Sequence, residues 1–177
     1  TNLNLKVIIS FNIVISLREL IEDNLAENNI SILLLGSGYE KIEEALTSIS
    51  QENFNKFIGY DEKLAHIMYA GADFLLMPSR VEPCGLNQMY SLRYGTVPIV
   101  NAIGGLKDTI IDITKENGFG VVHHGVTIEK VTSAITKASI YFNQKEFKKN
   151  LKKMMQIDHS WGNSAQAYVN LYKSLKN

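Results

Sequence analysis

Cysteine is almost absent from this chain of 177 residues, which contains only Cys84. A single thiol excludes an internal disulfide framework and any cysteine-cluster metal site, and it fits a reducing compartment such as the cytoplasm. Excess charge of either sign is also missing, with 18 Lys and Arg against 18 Asp and Glu. That balance does not suggest a broadly basic nucleic-acid binder, so partners are expected to be recognised at a site. No apolar run approaches the roughly 18 residues of a membrane span. The first residues, Thr1 to Ile9, lack the basic start, apolar core and cleavage site of a secretory signal. A soluble protein without membrane or nucleic-acid partners is therefore expected. Proline is scarce, at three residues, and no low-complexity linker or internal repeat interrupts the sequence. At this length a single domain with its own core is the default.

What is present is an alternation of short apolar runs with longer stretches of helical period. Lys6 to Ile9, Ile30 to Leu35, Phe54 to Ile58, Asp73 to Met77, Val97 to Val100 and Phe119 to Val122 have the length and composition of strands. Between them, Leu17 to Glu27, Tyr39 to Ile49, Asp61 to Ala70 and Leu86 to Tyr94 have helical spacing, and a short helix is expected after Gly105. Helices over Thr127 to Phe142, Gln144 to Met155 and Ser160 to Leu175 complete the chain. Ile32 to Leu35 and Phe74 to Met77 are nearly continuous apolar runs, as parallel strands covered on both faces must be. The expected fold is α/β: a Rossmann-like, doubly wound parallel sheet with a helical C-terminal tail. The Lys-rich stretch Lys145 to Lys153 reads as a solvated helix face.

In such sheets ligands occupy the crevice beyond the carboxyl ends of the strands. Four loops there are unusual. Gly36-Ser37-Gly38 offers flexible backbone to a phosphate or nucleoside, or is a plain tight turn. Gly59-Tyr60 offers an aromatic face to a flat base, or simply packs. In Pro78 to Gln88, Pro83 resists helix and Gly85 opens one, so the first N–H groups, of Leu86, Asn87 and Gln88, are expected to face the crevice, ready for an anion. Glu82 beside that helix end would be electrostatically wasteful unless it binds something such as sugar hydroxyls. Asn101 to Leu106 places Gly104 and Gly105 before a short helix, as a hinge or as part of a site shared with the preceding loop.

These residues carry a resemblance. Ala72-Asp73, Met77-Pro78-Ser79-Arg80, Glu82-Pro83-Cys84-Gly85-Leu86-Asn87-Gln88, Arg93-Tyr94-Gly95-Thr96-Val97-Pro98 and Gly104-Gly105-Leu106-Lys107-Asp108-Thr109 resemble the bacterial glycogen synthases and plant starch synthases. Gly59-Tyr60 and the Ser160-Trp161 helix extend a weaker match. The resemblance implies the C-terminal half of a GT-B glycosyltransferase, with residues 1–177 as the nucleotide-sugar donor domain. It implies retaining transfer of glucose from ADP-glucose to the nonreducing end of an α-1,4-glucan in the cytoplasm, or the plastid of a plant or alga. Glu82 would take the catalytic acidic position beside glucose. Cys84, Gly85 and Leu86 would line the donor pocket, Asn87 would lie near the distal phosphate and Tyr60 would flank adenine. Gly104 and Gly105 match the second glycine loop. No metal and no cofactor is implied.

Two departures accompany the match. The family's N-terminal domain, which supplies the acceptor side, has no counterpart in these residues. The family's Ser-Arg-Leu-Thr and Gln-Lys-Gly segments, whose Arg and Lys hold the diphosphate, have no secure match in Ser10 to Arg18. Losing both contacts would cost roughly 1.5 to 3 kcal/mol each. The alternatives are a degenerate nucleotide-sugar-binding module without turnover and another GT-B transferase. Cys84 is expected to line the pocket as a reduced thiol, with a buried core position as its alternative.

Overall fold

The computed structural model describes residues 5–10, 20–21 and 30–176. Six strands form one sheet: β1 (Leu5–Ser10), β2 (Ile30–Gly36), β3 (Phe54–Ile58), β4 (Phe74–Met77), β5 (Val97–Asn101) and β6 (Val121–His123). All neighbours are parallel, in the order β3-β2-β1-β4-β5-β6. The described helices are α1 (Glu40–Thr47), α2 (Glu62–Gly71), α3 (Asn87–Tyr94), α4 (Gly104–Thr109), α5 (Ile128–Phe142), α6 (Lys145–Met155) and α7 (Trp161–Ser174). The expected helix over Leu17 to Glu27 lies largely outside the described residues. Of it, Leu20 and Ile21 are helical and buried.

The strand order explains the burial pattern. Every residue of β4 and β5 is buried, as central strands sandwiched between helices require. In β3, at the sheet edge, Asn55 and Phe57 are exposed on either side of Lys56, a charge of the sort that blunts a free edge. The core lies on both sides of β1 and β4. On one side α5 presents Val131, Ala134, Ile135, Ala138 and Tyr141 at helical spacing. Phe147 of α6 fills the space between Phe74, Tyr141 and Phe142, with ring centroids 5.7, 5.3 and 5.0 Å away. Each such buried side chain contributes about 1.5 to 3 kcal/mol of transfer free energy. Capping fixes the helix ends near the crevice: Asp61 accepts a hydrogen bond from the Leu64 N–H at 2.8 Å, starting α2 immediately after β3.

Most boundaries shift by a residue or two from expectation, and two of the shifts have a clear cause. α3 begins at Asn87, two residues beyond Gly85, because Gly85 is in the left-handed region (φ +74°) and Leu86 serves as the N-cap. The expected strand Phe119 to Val122 is replaced by Val121–His123. Gly120 forms an isolated parallel bridge with Asp112, and the Asp112 carboxylate accepts from the Val122 N–H at 2.7 Å, so the approach to β6 is organised by a side chain. Burial would raise the Asp112 pKa, but hydrogen bonds from Thr114 and Lys137, then from the Thr114 and Val122 backbone, outweigh it and lower the value to about 2.

The topology locates the crevice. From β1 the chain builds outward through β2 and β3, then crosses back through α2 to set β4 on the other side of β1. The order therefore reverses between β1 and β4, and the carboxyl ends there open the space in which doubly wound sheets bind ligands.

Candidate functional site

A cavity of about 270 Å³ lies at this reversal point. Its lining includes Ile8 and Ile9 of β1, Leu35 and Gly36 of β2 and Leu75 of β4, together with Ser37, Gly59, Tyr60 and Asn87 from the loops and the start of α3. Three of the four unusual loops thus contribute to one hollow. Tyr60 is 86% exposed although it lines the cavity, so its ring is not held in packing and keeps an open face. Tyr69, in the wall, is pushed up to about 12 by burial and then by Tyr90, so its hydroxyl stays neutral near pH 7. The loop after β2 is itself tied down: the Gly38 N–H donates to Glu43 Oε1 at 2.7 Å, and the Gly59 N–H donates to the Gly36 carbonyl at 2.8 Å. The Gly38 donor is therefore already used within the protein.

Asn87 joins this cavity to the second part of the site. It is the first residue of α3, whose leading N–H groups lack intrahelical acceptors and carry the positive end of the helix dipole. Immediately before it, the segment from Ser79 to Leu86 crosses the start of α4 in direct backbone contact. The Gly105 N–H donates to the Glu82 carbonyl at 3.1 Å. A Cβ on Gly104 would stand 1.9 Å from the Glu82 carbonyl oxygen, and one on Gly105 would stand 1.9 Å from that of Cys84. Gly104 also has φ +45°, where side chains are disfavoured. The two glycines are thus neither a hinge nor a free turn; they let two loops interlock.

Polar side chains lock the crossing. Gln88 is fully buried, and its Nε2 donates to the carbonyls of Cys84 (3.2 Å) and Gly85 (3.0 Å) and to Thr109 Oγ1 (3.2 Å). Thr109 in turn donates to the Gly105 carbonyl at 2.6 Å. Ser79, also buried, donates from Oγ to Glu82 Oε2 at 3.2 Å. Asn101, at the end of β5, donates from Nδ2 to the Ser79 carbonyl at 2.8 Å and accepts from the Gly125 N–H at 2.9 Å.

The residues singled out in the sequence fall into two groups. Tyr60 and Asn87 line the cavity, whereas Glu82, Cys84, Gly85, Gly104 and Gly105 form the interlock beside it, with Leu86 between them. Glu82 is half-buried. Cys84 is free and exposed, which removes the core-thiol alternative. In sequence Gln88 reads as a backbone donor only, and Ser79 and Asn101 read as ordinary members of their loops. The available signal was a polar residue ending an otherwise apolar run, Val97 to Asn101. The segment from Phe11 to Arg18, where the phosphate-binding Arg and Lys were sought, lies outside the described residues.

A larger open groove, about 900 Å³, runs along α5 and the start of α6 and includes none of these loops. Among the described residues, no three His, Cys, Asp or Glu side chains are grouped as a metal site, and no helix is long and apolar enough to cross a membrane.

The chain is similar to known proteins over most of its length. The chain is 48% identical over 147 residues to a glycogen synthase of Flavobacterium johnsoniae, covering 81% of this chain and 31% of that protein. It is 41% identical over 163 residues to a glycogen synthase of Thioalkalivibrio sulfidiphilus, covering 87% and 34%. The chain thus spans about a third of the length of the curated relatives it matches. Its structure superposes with a TM-score of 0.81 on the catalytic domain of starch synthase IV from Arabidopsis thaliana bound to ADP and acarbose, at 28% identity, covering 98% of this chain and 38% of that one. Sucrose-phosphate synthase from Thermosynechococcus elongatus, at 20% identity and a TM-score of 0.66, shares the fold. The sheet and its helical tail are those of the Rossmann-like C-terminal half of a GT-B glycosyltransferase. The family model for glycosyl transferases group 1 matches residues 11–157, a span that contains all four crevice loops and the interlock between them, and the chain belongs to that family.

Proposed function

We propose that this chain is the donor-binding domain of a glycogen or starch synthase. It holds ADP-glucose for retaining transfer of glucose to the nonreducing end of an α-1,4-glucan, while a further domain of the whole protein supplies the acceptor side. The observation that carries this reading is the continuity of the cavity with the start of α3 through Asn87, which offers adjacent places for a base, a diphosphate and a sugar. Adenine lies against the open face of Tyr60, and the diphosphate lies at the α3 N-terminus near Asn87. Glucose reaches Glu82, whose carboxylate accepts from sugar hydroxyls, with Cys84, Gly85 and Leu86 forming the adjoining wall. Gly104 and Gly105 act by keeping that wall in place.

Transfer breaks the bond between the anomeric carbon and the ADP oxygen and forms one to the acceptor hydroxyl oxygen, whose proton leaves with the departing phosphate. Negative charge develops on ADP as the bond breaks. Preorganised N–H groups and a helix dipole aimed at that charge stabilise the transition state more than the ground state. No metal is needed for this placement. The glycogen synthase identities of 48% and 41% favour this reading over a different transferase. Retention and preference for ADP-glucose belong to the proposal, as does a cytoplasmic setting.

The test is a titration of the chain with ADP and with ADP-glucose, without divalent ions, followed by amide NMR. Affinity on the order of 0.1 to 10 mM is expected, since half of the enclosure comes from elsewhere in the whole protein. Shifts are expected at Tyr60, at residues 82–88 and at Gly104 and Gly105. Shifts confined to the Lys-rich helix α6 would overturn the assignment.

A further inference from the structure

We propose that Asn101 is a positioning residue that sets the Glu82 carboxylate, acting through Ser79. Its importance for transfer rests on the reading of Glu82 given above. Asn101 is the only polar residue of β5 and is just 7% exposed. Burying a primary amide at the end of an apolar strand is costly unless both its ends are paired, and here both are. Nδ2 faces the Ser79 carbonyl at 2.8 Å, and Oδ1 faces the Gly125 N–H at 2.9 Å. The reverse amide orientation would set oxygen against oxygen and N–H against N–H, so the two partners determine how the side chain stands.

Ser79 is the relay. It is 1% exposed, its carbonyl is held by Asn101, and its hydroxyl donates to Glu82 Oε2 at 3.2 Å. Holding the carbonyl limits rotation of the Ser79 peptide and so limits where its hydroxyl points. The far end of the link is also anchored. His123 Nδ1 bonds the Gly125 carbonyl at 2.8 Å, and the Ala102 N–H donates to the His123 carbonyl at 2.8 Å. Asn101 thus spans from the loop after β4 to the loop after β6, across the end of its own strand.

Two of the contacts of Glu82 serve different purposes. The Gly105 N–H bond to its carbonyl fixes the backbone, and the link through Ser79 engages the carboxylate. Loss of the second link leaves the chain path intact and removes one contact that orients the acid. Asn101→Asp is the sharpest probe. It keeps the shape and the acceptor for Gly125, but it sets a carboxylate oxygen against the Ser79 carbonyl, so the relay must turn away. Ser79→Ala removes the hydroxyl alone and serves if Asn101→Asp does not fold.

The experiment follows the side-chain carboxyl carbon resonance of Glu82 by NMR in the ligand-free chain, then measures ADP and ADP-glucose binding. Asn101→Asp and Ser79→Ala are both expected to move that resonance. Each should weaken ADP-glucose by about 3- to 10-fold while leaving ADP within about 2-fold. The double variant should be no worse than either single one, because both break one link. A folded Asn101→Asp variant with an unmoved Glu82 resonance overturns the proposal, whatever Ser79→Ala does, as does equal weakening of both ligands. A resonance that moves, together with Glu82→Gln binding both ligands as the unaltered chain does, upholds the positioning and overturns the glucose role of Glu82.

Discussion

The crossing of residues 79–88 with 101–109 and the terminal helix α7 represent opposite ways of stabilising a segment. At the crossing, backbone meets backbone: glycines remove the side chains that would hold the loops apart, and a buried glutamine collects the loose carbonyls. In α7, by contrast, no residue is buried, although Trp161, Tyr168, Leu171 and Tyr172 are all more than half exposed. A helix of 14 residues gains little from propensity alone and normally depends on packing an apolar face. The crossing is thus held by internal contacts, while the tail adds apolar surface without adding core. By this contrast, the buried core and the candidate site lie in the sheet and its loops, up to the end of α6.

The strongest way to break this comparison is Gly105→Ala. The added carbon would need to occupy a point 1.9 Å from the Cys84 carbonyl oxygen, and that neighbour is backbone, not a flexible side chain. A loss above about 3 kcal/mol of unfolding free energy is expected in urea denaturation. A loss below 1 kcal/mol would mean that the loops separate easily and the interlock is not rigid.

Acid provides a second, smaller test on the domain side. The Asp112 pKa is lowered from 3.8 to about 2, so the folded state favours the charged form. Its stabilising contribution is complete above pH 3.8 and declines as the pH falls towards 2, amounting to about 2 kcal/mol. Asp112→Asn should lower stability at neutral pH and flatten the pH dependence across that window. Parallel stability curves for the two proteins between pH 4 and pH 2 would remove Asp112 from the account.

The smallest effect is expected from deleting residues 161–177. With nothing in α7 buried, the melting temperature of the remainder should change by less than about 4 °C, equivalent to roughly 1 kcal/mol for a domain of this size. A much larger drop in a calorimetric scan would show that α7 packs on the domain in solution, and the contrast with the crossing would vanish.

Much of the architecture was legible because its signals are local. The apolar run Phe74 to Met77 and the periodic stretch Thr127 to Phe142 each announce their element, and the order of such elements leaves few topologies. Boundaries failed where a single residue redirected the backbone, as Gly85 does before α3 and Asp112 does before β6. Of the site, the four loops were recognisable as loops at strand ends, and Glu82 and Tyr60 stood out by residue type. The partners of Asn101 were not recognisable, since they lie 22 and 24 residues away and no periodicity connects them.

Local composition and spacing by themselves determined that this chain builds a parallel α/β sheet with its ligand crevice at the carboxyl ends of the strands. Only the tertiary structure decided what Gly104, Gly105, Gln88 and Asn101 are for. A glycine reads alike in sequence whether it turns, flexes or lets another backbone pass, and a polar side chain has no visible partner until folding brings one within 3 Å.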